Sequence, residues 1–88
     1  MTNELKQIAS AYPDKEFVPG TLDGYLKEYA MTYAKLYPSG MRMLTVQHLV
    51  DTSPNRRFAI ILTVGNYGTD VTHYSSVEDV VKALQFRF

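Results

Sequence analysis

"YLKEYAMTYAKLY", residues 25–37, places a tyrosine at every fourth position: Tyr25, Tyr29, Tyr33 and Tyr37. On an α-helix each step of four advances about 40°, so the four rings sweep an arc of roughly 120°. Leu22, Leu26 and Leu36 fall among the tyrosines, while Lys27, Glu28, Thr32 and Lys35 take the opposite side. A face shared with leucines is a face turned to a core. The spacing therefore predicts a helix from about Leu22 to Tyr37, capped by Thr21 and stopped by Pro38-Ser39-Gly40. Rings that served as stacking platforms for bases would need a basic groove beside them. The helix offers only Lys27 and Lys35, on the wrong side. The stripe reads as core.

Upstream, Leu5, Ile8, Ala9 and Tyr12 keep the spacing of one helix face over residues 3–12. Thr2 or Asn3 can cap that helix, and Pro13 stops it. The loop "PDKEFVPG" supplies Phe17 and Val18 as anchors. Downstream, "MLTVQHLV" (43–50), "RRFAIILTV" (56–64) and "TDVTHY" (69–74) read as strands. "DTSPNR" is a turn by composition and "GNYG" a hairpin tip. Setting Gly65 opposite Gly68 makes Asn66–Tyr67 a two-residue turn. That register pairs Leu62 with Val71 and Ile60 with His73; a five-residue link pairs Val46 with Leu62 and His48 with Ile60. The core face then holds Leu44, Val46, Val50, Phe58, Ile60, Leu62, Val64 and Val71. "SSVEDVVKALQFRF" closes the chain with a capping box, Ser75 with Glu78 or Ser76 with Asp79. Val77, Val80, Val81 and Leu84 line one face of a helix ending near Gln85. The expected fold is α+β, in the order α-α-β-β-β-α: a three-stranded antiparallel meander with helices packed on one face.

The totals fit one small globular domain over residues 1–88. Nine Lys/Arg balance nine Asp/Glu, spread along the chain. No basic block suggests a phosphate backbone, and no acidic tail suggests a basic partner. The absence of cysteine removes disulfides, thiolate metal sites and a thiol nucleophile. Glu4 stands where a signal peptide needs a basic start, and the longest apolar run, "FAIIL", is too short to span a bilayer. A cytoplasmic protein with no membrane contact is expected.

Little catalytic chemistry is on offer. His48 and His73 flank Ile60 in this register, about 10 Å apart, too far to share a metal ion. Asp51, Thr52 and Ser53 read as turn residues bonding backbone. No phosphate-cradling glycine loop, HExxH, GxSxG or calcium loop is present. No enzyme activity, cofactor or metal is expected.

From Leu22 onward the order α-β-β-β-α, the central hairpin "RRFAIILTVGNYG" and a final helix after a serine pair resemble the layout of double-stranded RNA-binding domains. The resemblance covers about two-thirds of the chain and implies duplex binding through lysines at the head of the last helix. Here "SSVEDVVK" sets Glu78 and Asp79 at those places and keeps only Lys82. Affinity for a duplex comes chiefly from neutralised phosphates, so nucleic acid is the alternative partner.

The second sheet face is more informative. In this register it shows Met43, Thr45, Gln47, Leu49, Ala59, Ile61, Thr72 and Tyr74, half of them apolar where a solvated face alternates to charge and hydroxyl. Met43, Leu49, Ile61 and Tyr74 form a candidate contact patch. Tyr67 at the hairpin tip and the adjacent pair Arg56–Arg57 are further binding candidates. The expected function is a small non-enzymatic accessory module that binds another protein or a second copy of itself, in the manner of phage and mobile-element proteins. A small hydrolase with a site of unfamiliar form stands third.

Overall fold

Two short helices are placed by their caps and apolar stripes. Thr2 Oγ1 accepts the Leu5 N–H at 3.3 Å to start α1, Asn3–Ser10, whose Leu5 and Ile8 are buried. Ser76 Oγ accepts the Asp79 N–H at 3.1 Å to start α2, Val77–Leu84, whose Val80 and Leu84 are buried. Eight residues make too short a helix to persist alone, so both depend on the sheet beneath them.

That sheet has five strands in the computed structural model, which describes residues 1–21, 24, 26–65 and 68–88. They are β1 (Val18–Pro19), β2 (Ala30–Tyr37), β3 (Gly40–His48), β4 (Phe58–Val64) and β5 (Thr69–Tyr74). All neighbours are antiparallel, in the order β1-β2-β3-β4-β5. The α+β class stands. The three-stranded meander and the second helix do not: residues 30–37 form a strand, and Pro38–Ser39 is a two-residue hairpin loop between Tyr37 and Gly40. A step of four explains the error. It keeps residues on one helix face, but four is also even, so it keeps them on one face of a strand. The α-β-β-β-α layout behind the resemblance to double-stranded RNA-binding domains loses its first helix in the same correction.

Tyr33 pairs with Leu44 and packs against the core, while Tyr29 and Tyr37 are exposed. Tyr25 and Leu22 lie outside the described residues. Among its described residues the tyrosine stripe contributes one core ring, Tyr33. It belongs to a cluster in which Phe88 meets Tyr12 at 4.7 Å and Tyr33 at 5.5 Å between ring centroids.

β3 and β4 pair Val46 with Ile60, two residues from the expected register. An even slip leaves every side chain on its expected face. β4 and β5 pair Leu62 with Asp70 instead of Val71. This odd slip turns β5 over. The last ladder pair is Thr63 with Thr69, so the tip is longer than two residues, and Gly65 and Gly68 both take positive φ. Val71 is consequently exposed rather than core, as are Val50 and Val64 near their strand ends. The core joins Leu5, Ile8, Val80 and Leu84 of the helices to Met31, Leu44, Val46, Phe58 and Ile60 of the sheet. All five sheet residues share one face by register, so both helices cover the same side.

Candidate functional site

Alternation gives the side away from the helices, here the outer face, a definite membership. One row crosses the sheet through Val18, Thr32, Thr45, Ile61 and Val71. The next runs through Ala34, Met43, Thr63 and Thr69, and Leu36 opposite Met41 ends the face at the β2–β3 hairpin. At the other end Ala30, Gln47, Ala59 and His73 are in line. None of these is Asp, Glu, Lys or Arg. The charged strand residues Lys35, Arg42 and Asp70 all point to the helix side: Lys35 is opposite Arg42, and Asp70 is opposite Leu62. An outer face normally carries the charge. This sheet reverses the assignment.

The face is not uniformly bare. Ala30 and Ala59 are buried, and Thr32 nearly so. Thr32 Oγ1 donates to the Gly20 carbonyl at 2.9 Å, so its one proton is committed and Thr45 Oγ1, 3.0 Å away, must be the donor between the two hydroxyls. Met43, Thr45, Ile61 and Thr63 are half-buried. Exposure rises outward, to 48% at Val71, 41% at Met41 and 76% at Leu36.

Of the residues expected to bind, Met43 and Ile61 lie on this face. Tyr74 does not. The turned-over β5 sets it opposite Phe58 on the helix side, where it packs against the core and the Arg87 guanidinium lies 5.9 Å from its ring. Thr72, opposite Ile60, moves with it. Leu49 is just past the end of β3, held by its N–H to the Arg57 carbonyl at 2.6 Å. Arg56 and Arg57 are exposed beside a short 3₁₀ turn, Pro54–Arg56. Tyr67 lies outside the described residues. The face gains Leu36, Met41, Val71 and Val18. The strand reading that would have found the first of these is carried by "YPSG", a hairpin signal as much as a helix stop.

A second concavity, about 420 Å³, opens at the end of β3 between Glu4, His48, Thr52, Arg57 and Ser76. His48 Nδ1 lies 3.0 Å from Thr2 Oγ1 and 3.6 Å from Glu4 Oε2, and its ring stacks on Phe58 at 4.8 Å. His73 is on the opposite sheet face, paired with Ala59, so the two histidines do not flank Ile60 as expected. The hydroxyls in and beside the cleft are occupied by structure. Thr2 and Ser76 cap the two helices, and the Thr52 hydroxyl donates to the carbonyls of Leu49 and Arg56. Among the described residues no three His, Cys, Asp or Glu side chains gather as a metal site, and no helix is long and apolar enough to cross a membrane. Comparison with protein-family models, with curated proteins and with solved structures finds no match.

Proposed function

We propose that this chain is a non-enzymatic protein-binding module that docks through the outer face of its sheet. The observation that carries the reading is the sorting of charge. The Lys, Arg and Asp of the strands are all on the helix side, and the outer face keeps Leu36, Met41, Met43, Ile61 and Val71 among threonines, Gln47 and His73. An uncharged apolar surface of this extent usually marks a contact site. The cleft beside His48 supports an enzymatic reading less well, because the hydroxyl nearest its imidazole, Thr2 Oγ1, is engaged as the α1 cap.

The test is capture from a lysate of the native host on immobilised protein, wild type against Ile61→Lys. A lysine in an interface is desolvated without a partner and costs several kcal/mol, whereas in open water it costs little. The expected result is a specific partner, or the chain itself, lost from the variant while its melting temperature holds. Equal capture by a folded Ile61→Lys would refute the outer face as the site.

A further inference from the structure

We infer that the partner of the outer face is a second copy of this chain, packed sheet against sheet about a two-fold axis. The inference rests on the docking reading above and names its occupant. Composition points there. Contacts between unlike proteins concentrate their energy in Trp, Tyr and Arg, and among the described residues the strands place none of these on the outer face. Its Val, Ile, Thr, Ala and Met are the residues of the inner face of a β-sandwich, where two sheets interdigitate about 10 Å apart. A β-sandwich needs a second sheet, and the described residues form one.

Charge points the same way. A two-fold axis sets each surface against itself, so a charged patch would meet its own sign unless the opposite sign lay across the axis. A face without Asp, Glu, Lys or Arg meets its copy without that cost. Threonine hydroxyls both donate and accept, so Thr63 can pair with its own kind, while Thr45, whose proton goes to Thr32, can accept. The edges, by contrast, are protected against strand-to-strand pairing: Pro19 stands on β1, Lys35 on β2 and Asp70 on β5. Copies that meet do so face to face.

The area sets the strength. Four strands at about 4.8 Å spacing and roughly seven residues at about 3.3 Å give a face of about 450 Å² in plan. Ala30, Thr32 and Ala59 are already buried, which closes one end to a partner, so two copies bury under about 1,000 Å² in all, the size of a weak, transient contact. The dimer is therefore of weak, reversible affinity.

Sedimentation velocity from about 1 μM to 500 μM, a range that reaches weak association, decides it for wild type, Ile61→Lys, Thr45→Lys and Phe86→Lys. Phe86 is 86% exposed and distant from the outer face in sequence and element, the competing apolar spot. Expected is a reversible monomer–dimer transition in wild type and in Phe86→Lys, and a monomer throughout for the two folded face variants, with circular dichroism checking each fold. Dimer kept in both face variants, or lost only in Phe86→Lys, overturns the inference. So does a wild type monomeric at every concentration. In that last case the lysate capture separates the two readings: a partner lost with Ile61→Lys leaves the outer face as a site for a different protein, and unchanged capture removes both.

Discussion

Ile60 and Ile61 are neighbours on β4 with opposite fates, and the same truncation at each reads out which side the helices cover. Ile60 is 1% exposed, opposite Val46, in a core with Leu5 and Leu84. Ile60→Ala removes three carbons, worth roughly 0.8 kcal/mol each in transfer, and a cavity term of about 1 kcal/mol follows where helix and sheet cannot close the gap. The loss is about 3–4 kcal/mol. A chain of this length has roughly 4–13 kcal/mol in total, and each kcal/mol moves the melting temperature by about 4–8 °C. Ile61 is half-buried and faces away from the helices. Ile61→Ala leaves no sealed cavity, because water reaches the space, and about half the transfer term remains, near 1 kcal/mol. Urea unfolding followed by circular dichroism measures both, at low micromolar protein so that the monomer is compared. Equal losses would mean that the outer face is covered. A loss under about 1 kcal/mol at Ile60 would mean that the helices do not seal the inner face, and the assignment of sides would fall.

Tyr33→Ala should cost about 2–3 kcal/mol through its contacts with Phe17 and Phe88, while Tyr29→Ala, exposed, should cost under about 1 kcal/mol in thermal melts. Ser76→Ala should destabilise by about 1 kcal/mol by stripping the α2 cap, and Ser76→Asp should restore most of it. Burial pushes the Tyr12 phenol above its ordinary value, with a hydrogen bond to Gln85 pulling partly back. The neutral ring, whose hydroxyl donates to the Val81 carbonyl, thus stabilises fully below the unfolded value near 10, and this contribution disappears as pH rises through the folded one. Melting temperature should fall above about pH 10 less steeply in Tyr12→Phe than in wild type. Generic duplex RNA should show no salt-sensitive binding by fluorescence anisotropy, since Lys82 is paired with Glu78 at 3.2 Å and Asp79 stands beside them.

The parts legible in the sequence were those fixed by local chemistry. Ser76 announces α2 because a hydroxyl just before an apolar stripe has one good use, and Pro13 bounds α1, which ends at Ser10, two residues short of the expected limit. The parts that failed were decided by parity or by distant partners. "AMTYAKLY" has helix formers at most positions, and only its pairing with β3, Met31 to Val46 and Tyr33 to Leu44, makes it a strand. The odd slip between β4 and β5 exchanged Tyr74 for Val71 on the outer face. Met43 and Ile61 were placed correctly because the slip between β3 and β4 was even. The cleft that joins Glu4 to His48 spans residues far apart in sequence, and no spacing rule relates them.

The charge sorting acquires its force from the mismatch between layers. Each helix has eight residues, about 12 Å, whereas β3 has nine, about 30 Å. The helices leave open the β2–β3 hairpin end, where Lys35 and Arg42 stand on the inner side; Asp70 stands one row nearer the core, opposite Leu62. At the hairpin end both faces of the sheet meet water in the monomer, and folding makes no demand about which residues go to which side. Lys35 and Arg42 go inward, next to Tyr37 and Val64, and Leu36 and Met41 go outward, in line with the uncharged rows that continue down the face. Lys35 and Arg42 even face one another across the ladder, a like-charge pair that disfavours the strand pairing. A cost to the monomer, set against a neutral outer face with no helix to cover, is what selection for a contact at that face would produce.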